Sequence, residues 1–251
     1  MTPPGVSGIL MPHTVTTEQQ TGKNMRTKTL LIAAAALAVS AGISMAQTYS
    51  QNIVGYVNLT VVNGYHMYAN PLDLDGTGVN NTVLTTLGTN TLPVGSQVLT
   101  WNGASFVVNS FSIPVHKTVP VWSSPNAPLN PGAGIFINNN GPATNIMIVG
   151  TALIGTQVNP NLPAGGGFYC VGSVVPVGGD ITTNLQYNPA LHDQVLVWDD
   201  GIQSYDVYTY SIPVHKTLPV WSPSNPQVAV GQGFFINTTN TAANWTEIVN
   251  P

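Results

Sequence analysis

One dodecapeptide occurs twice in this chain, and any fold has to house both copies. Residues 112–123 read SIPVHKTVPVWS and residues 211–222 read SIPVHKTLPVWS, so Val119 against Leu218 is the only difference. Alternation along the first copy puts Ile113, Val115, Val119 and Val121 on one face of an extended strand and Pro114, His116, Thr118, Pro120 and Trp122 on the other. The prolines lie an even number of residues apart, so their missing N–H donors fall on one edge. Such a strand pairs on one side only, so it is expected to be an edge strand or an extended polyproline-like segment. The second copy repeats this with Pro213, His215, Thr217, Pro219 and Trp221. Lys117 and Lys216 fall on the apolar face, where each has to snorkel outward or meet a carboxylate. Two uses of the ribbon are open. It is a structural crossover whose Trp plugs the core and whose prolines guard the edge, or it presents His116, Lys117, Thr118 and Trp122, with His215, Lys216, Thr217 and Trp221, as a recognition strip.

The segment upstream reads as an export signal. Met25-Arg-Thr-Lys28 is a basic start, residues 30–39 are an apolar run too short to span a membrane, and Ser44-Met45-Ala46 is a small-x-small cleavage site. Residues 25–46 are thus expected to be a signal peptide cleaved before Gln47. Residues 1–24 would then be an upstream extension, with Met25 the natural start. From residue 47 onward the cations are Lys117 and Lys216 alone. Eight acids oppose them (Asp73, Asp75, Asp180, Asp193, Asp199, Asp200, Asp206 and Glu247), a net charge of −6. Nucleic acid is a poor partner for such a surface, and so are anionic membranes. The expected address is secreted: extracellular, cell-surface or periplasmic. The single cysteine, Cys170, cannot form an internal disulfide and reads as a small core hydrophobe.

The repetition extends beyond the dodecapeptide. Gln97-Val-Leu-Thr-Trp101-Asn-Gly103 matches Gln194-Val-Leu-Val-Trp198-Asp-Asp-Gly201, and Pro131-Gly-Ala-Gly-Ile-Phe-Ile-Asn138 matches Val230-Gly-Gln-Gly-Phe-Phe-Ile-Asn237. Two β units are expected, at residues 47–150 and 151–251. Each should hold about six short strands, one helical turn near residues 82–89, and a hairpin at Asn102-Gly103 or Asp199-Asp200-Gly201. The fold class is all-β: two tandem small sandwiches or half-open barrels related by a pseudo-twofold, with a single sandwich built from both halves as the alternative. Trp101, Trp198 and Trp245 read as core.

The order Gly64-x-x-x-x-Ala-Asn70-Pro71, Val98-x-x-Trp101-Asn-Gly, Pro131-Gly-x-Gly-x-Phe-Ile resembles a β-repeat module common in secreted and surface proteins of environmental bacteria. There the pattern runs G-W-N-L-I-x-N-P, then V-x-x-W, then P-G-x-G-F-F-I. The similarity covers nearly all of residues 47–251, twice. It implies a secreted β protein and points to no activity. Unit two departs from it at Ser173-Val174, in place of the Asn-Pro step.

Chemistry is sparse. No G-x-S-x-G elbow surrounds a serine, and Gly165–Gly167 lacks the Lys-Ser/Thr of a phosphate loop. Asp199, Asp200, Asp73 and Asp75 sit in turn sequences, which explains them without paired-carboxylate hydrolysis. Asp73-x-Asp75-x-Thr77-Gly78 starts like a calcium loop, but Leu84 stands where the bidentate Glu belongs. His116 and His215 could jointly meet a metal only if the fold brought them together. No cofactor is implied and no enzyme is expected. The first functional reading is a structural or adhesive protein of the cell surface or extracellular matrix, with self-association possible. The alternative is a carbohydrate-binding protein using the duplicated His-Lys-Thr-x-Pro-Val-Trp strips. A glycan or another surface protein is the expected partner.

Overall fold

A computed structural model describes residues 53–163, 165–239 and 245–250. These residues form one compact, almost wholly β unit. The signal peptide expected at residues 25–46 and the upstream extension expected at 1–24 lie outside the described residues. No helix among the described residues is long and apolar enough to cross a membrane.

In the first half, β1 (Ile53–Val61) pairs antiparallel with β7 (Thr144–Ala152). Their alternation turns Val57, Leu59 and Val61 inward with Ile146 and Ile148. Between them run β2 (Gly64–Ala69), α1 (Val83–Leu87), β3 (Gln97–Trp101), β4 (Phe106–Ser112), β5 (Val121–Trp122) and β6 (Gly134–Asn139). The expected helical turn is α1, held by Thr82 and Thr85, each side chain bonding the other's backbone. The expected hairpin joins β3 to β4, where Asn102 Oδ1 accepts from the N–H groups of Ala104 and Ser105. The second half follows as β8 (Gly155–Val158), β9 (Gly167–Val171), β10 (Gly179–Asp180), β11 (Gln194–Asp199), β12 (Ser204–Ser211), β13 (Val220–Ser222), β14 (Gln227–Val228), β15 (Phe234–Thr238) and β16 (Thr246–Val249).

The two main sheets have one topology. The first orders its strands β2-β6-β3-β4-β5 and the second β9-β15-β11-β12-β13. Strands matched by sequence therefore hold matched places, and β8–β16 repeats the β1–β7 pair. Each half has its own core. The first is built on Val98, Phe111, Trp122, Ile135 and Ile137, the second on Trp221, Phe234, Ile236 and Trp245.

A third apolar cluster joins the halves: Met67 and Phe136 from one, Cys170 and Phe235 from the other. Contacts across this seam are reciprocal. Ala69 N–H donates to Gly231 C=O at 2.8 Å, and Gly172 N–H to Gly132 C=O at 3.0 Å. Trp101 Nε1 donates to Phe168 C=O and Trp198 Nε1 to Tyr65 C=O, both at 2.9 Å. The rings repeat the pattern: Trp101 sits edge-on to Phe235 at 5.5 Å, and Trp198 to Phe136 at 5.1 Å.

The second glycine of each Gly-x-Gly step is what lets the backbones meet. A Cβ on Gly134 would lie 2.6 Å from Val171 N, and one on Gly233 would lie 2.3 Å from Tyr68 O. Gly134→Ala and Gly233→Ala are each expected to destabilise the protein by about 2 kcal/mol or more through overpacking. Gly55→Ala should not, because its methyl would meet Leu72 at an ordinary 3.6 Å. Chemical denaturation of the three variants is the check.

Candidate functional site

The duplicated segment is only partly a strand. Its last residues form β5 and β13, which do lie at the sheet edges. Residues 113–120 and 212–219 instead project as hairpin loops between β4 and β5 and between β12 and β13. In each loop a turn closes from Lys117 N–H to Pro114 C=O, or Lys216 N–H to Pro213 C=O, at 3.0 Å. His116 and His215 occupy the left-handed region at φ 66°. The residues expected on the buried, apolar face are therefore the ones that meet solvent. Val115 and Val214 are each 82% exposed, whereas Trp122 and Trp221 are 3% and 5% exposed.

Both indoles are anchored below their loops. Trp122 packs at a tilt against Phe111 at 4.9 Å and donates to Gly88 C=O at 2.7 Å. Trp221 packs at a tilt against Tyr210 at 5.2 Å and donates to Thr182 Oγ1 at 3.0 Å. An indole N–H satisfied inside a core has no reason to face water. The His-Lys-Thr-Trp strip is thereby divided: His116, Lys117, Thr118, His215, Lys216 and Thr217 are exposed, while the two Trp side chains are the core plugs of the structural reading. Neither lysine pairs with a carboxylate; among the described residues the ion pair is His66–Asp200.

Identity between the halves peaks on these loops. Residues 113–123 and 212–222 agree at ten of eleven positions. The strand before agrees at three of eight (105–112 against 204–211) and the stretch after at one of eight (124–131 against 223–230). The anchor role explains Trp, and the turn explains Pro. Neither explains why solvent-facing Val, Lys and Thr match. Comparison with family models, with curated proteins and with solved structures finds no match to this chain.

The seam supplies a second candidate that sequence reading assigned to the core. Trp101 and Trp198 are only half-buried. A hollow of about 300 Å³ beside Trp198 is lined by Asn58, Thr60, Tyr68, Asp200 and Gln232. Asp199 caps its turn as expected, accepting from Gly201 N–H at 2.7 Å. Asp200 does not, and lies 2.9 Å from Nδ1 of buried His66, a contact close enough for an ion pair but out of line for N–H donation. Burial, with the Asp200 charge nearby, raises the Tyr68 hydroxyl well above its ordinary pKa. The matching hollow beside Trp101 has Asn102 and Gly103 in its lining and no carboxylate.

The remaining candidates separate. Asp75 closes its own turn, accepting from Thr77 and Asn80, and these bonds hold its carboxyl below the usual range. Asp73 is buried, with Asn81 Nδ2 on one oxygen at 2.6 Å and no partner on the other. Its backbone bonds Thr151 in both directions. Among the described residues no three His, Cys, Asp or Glu side chains are grouped to hold a metal. Cys170 is buried in β9, and desolvation pushes its thiol up.

Glu247 carried no signal in the sequence. It faces Gln157 across β16–β8, where the first half has Ile148 facing Val57. It is 1% exposed, and burial pushes its pKa up to about 7. Its Oε1 is 2.5 Å from Ser173 Oγ, which is also 2.6 Å from the Val175 carbonyl. One hydroxyl proton serves one of those contacts, so both are satisfied when Glu247 is protonated and donates to Ser173. The folded-state value exceeds the unfolded one. Stability from this group is therefore full below about pH 4.5, and it is lost as pH rises to and through about 7. Denaturation midpoints should fall over that window, by up to about 3 kcal/mol of stability. Glu247→Gln should flatten the profile.

Proposed function

We propose that this chain is an exported, non-catalytic β-repeat protein with a structural or adhesive role at the cell surface or in an extracellular matrix. In this reading it attaches through the paired loops at residues 113–120 and 212–219. The observation that carries the proposal is the island of near-identity on two solvent-exposed loops, bounded by stretches that have diverged. A fold preserves buried residues for packing, but exposed ones match for what they touch. Presenting one loop twice on a single compact unit makes attachment bivalent. The second contact then forms at a high effective concentration. The low charge of residues 47–251 and the secretion-type segment before them support the location, as does the resemblance to a secreted bacterial module.

The test is retention of the labelled, purified chain on whole cells of the organism that produces it. Val115→Asp with Lys117→Glu disables one loop, and Val214→Asp with Lys216→Glu the other. One disabled loop is expected to lower retention by about a hundredfold, and two should abolish it. Equal retention by all three proteins would end this reading.

A carbohydrate-binding reading survives at a different place. Trp122 and Trp221 are unavailable to a sugar, but the hollow beside Trp198 combines an aromatic side chain with Asp200, Asn58 and Gln232. Its volume is that of a small ligand site. Glycan-array retention by the parent and loss in Asp200→Ala would favour it; no retention by the parent removes it.

A further inference from the structure

Each copy of the chain exposes two kinds of apolar surface. One is the loop tip: Ile113, Val115, Val119 and Val121 in the first loop, Ile212, Val214, Leu218 and Val220 in the second, all exposed around a lysine. The other is the outer face of β1–β7. Its inner face is the first core, so ordinary alternation should leave the outer face polar. It is polar at one end, where Thr60 pairs with Asn145. Toward the other end it carries Val54, Tyr56, Met147 and Val149, all more than half exposed. There it adjoins a hollow of about 480 Å³ lined by Val54, Leu74, Met147 and Val149 together with Thr85 and Thr86 of α1. Asp75, exposed and kept charged by Thr77 and Asn80, follows Leu74 directly in the chain. The second half repeats this face only in part: Ile248 stands where Val149 does, but Thr156 and Thr246 replace Tyr56 and Met147.

We propose that the loop tip of one copy docks in the β1–β7 hollow of a second copy, its valines against Val54, Met147 and Val149 and its lysine against Asp75. The inference rests on the reading of the loops as attachment elements and names a second copy of this chain as what they hold. Charge selects that occupant. The loop lysines are the only cations from residue 47 onward, and the hollow has an acid beside it. The loop is also an apolar protrusion and the hollow an apolar recess, so their contact covers both at once. The contact is heterologous, because loop and hollow are different surfaces. It builds strings or rings unless two copies exchange loops reciprocally.

Sedimentation of the purified chain from micromolar to submillimolar concentration tests this. The parent is expected to associate reversibly. Lys117→Glu with Lys216→Glu should weaken association by about tenfold or more, as should Asp75→Lys alone. Combining all three substitutions should restore it. Val149→Glu should abolish it while leaving the inward face of the sheet untouched. A parent that stays monomeric throughout, or association indifferent to these changes, overturns the proposal. Asp75→Lys and Val149→Glu do not alter the loops, so their retention on cells is read separately. Cell retention by a chain that no longer self-associates would leave the attachment reading standing, with a partner other than a second copy. Loss of both together supports the proposal.

Discussion

The structure depends on two backbones approaching too closely for any side chain between them. At Gly134 and Gly233 the space where a Cβ would sit is already taken by Val171 N and Tyr68 O of the opposite half. Around that contact the halves exchange indole N–H bonds and a set of edge-on rings. A seam this tight is a core feature, packed at interior density and intolerant of an added methyl. It also places the rest. Strands β2, β6, β9 and β15 supply the seam, and the sheet order runs from them outward to β5 and β13. The duplicated loops therefore spring from the far edge of each sheet, held by cores that the seam fixes together.

Much of this was legible in the residues. The matched Gln-Val-Leu-x-Trp and Gly-x-Gly-x-Phe-Ile segments gave the matched strand positions. Asn102-Gly103 and Thr82 behaved as local chemistry required. The dodecapeptide misled for a specific reason. Period-2 reading assumes an extended chain lying on a core, but residues 113–120 project as a loop turned at left-handed His116, so their valines have no core beneath them while Trp122, back in the sheet, does. His is among the non-glycine residues enriched at positive φ, but that signal is too weak to announce the turn by itself. The edge position followed from proline geometry and survived.

The site was harder to read because its members are remote in sequence. Asp200 meets His66, and Glu247 meets Ser173, across separations no local motif encodes. Turn composition explained Asp75 and Asp199 correctly but gave the same role to their neighbours Asp73 and Asp200, whose carboxylates cap no turn. Asp73 and Asp200 look the same on paper and sit respectively in the interior and at the mouth of a hollow. Burial sorted these pairs, and burial depends on how the halves close.

A chain with so few cations has an unusual electrostatic surface. At a net charge of −6 over residues 47–251, two copies approaching at random repel. The exceptions are approaches led by a loop, where the lysine arrives ahead of the acids. The same field that keeps copies apart thus selects the orientation in which they can meet, and it does so before any apolar contact forms. Salt weakens the repulsion and the steering alike, because both act through exposed charges. What salt leaves untouched is the apolar fit beneath, so orientation is lost before affinity as ionic strength rises. In the proposed loop-to-hollow contact the lysines set where a partner lands, and the exposed valines how long it stays.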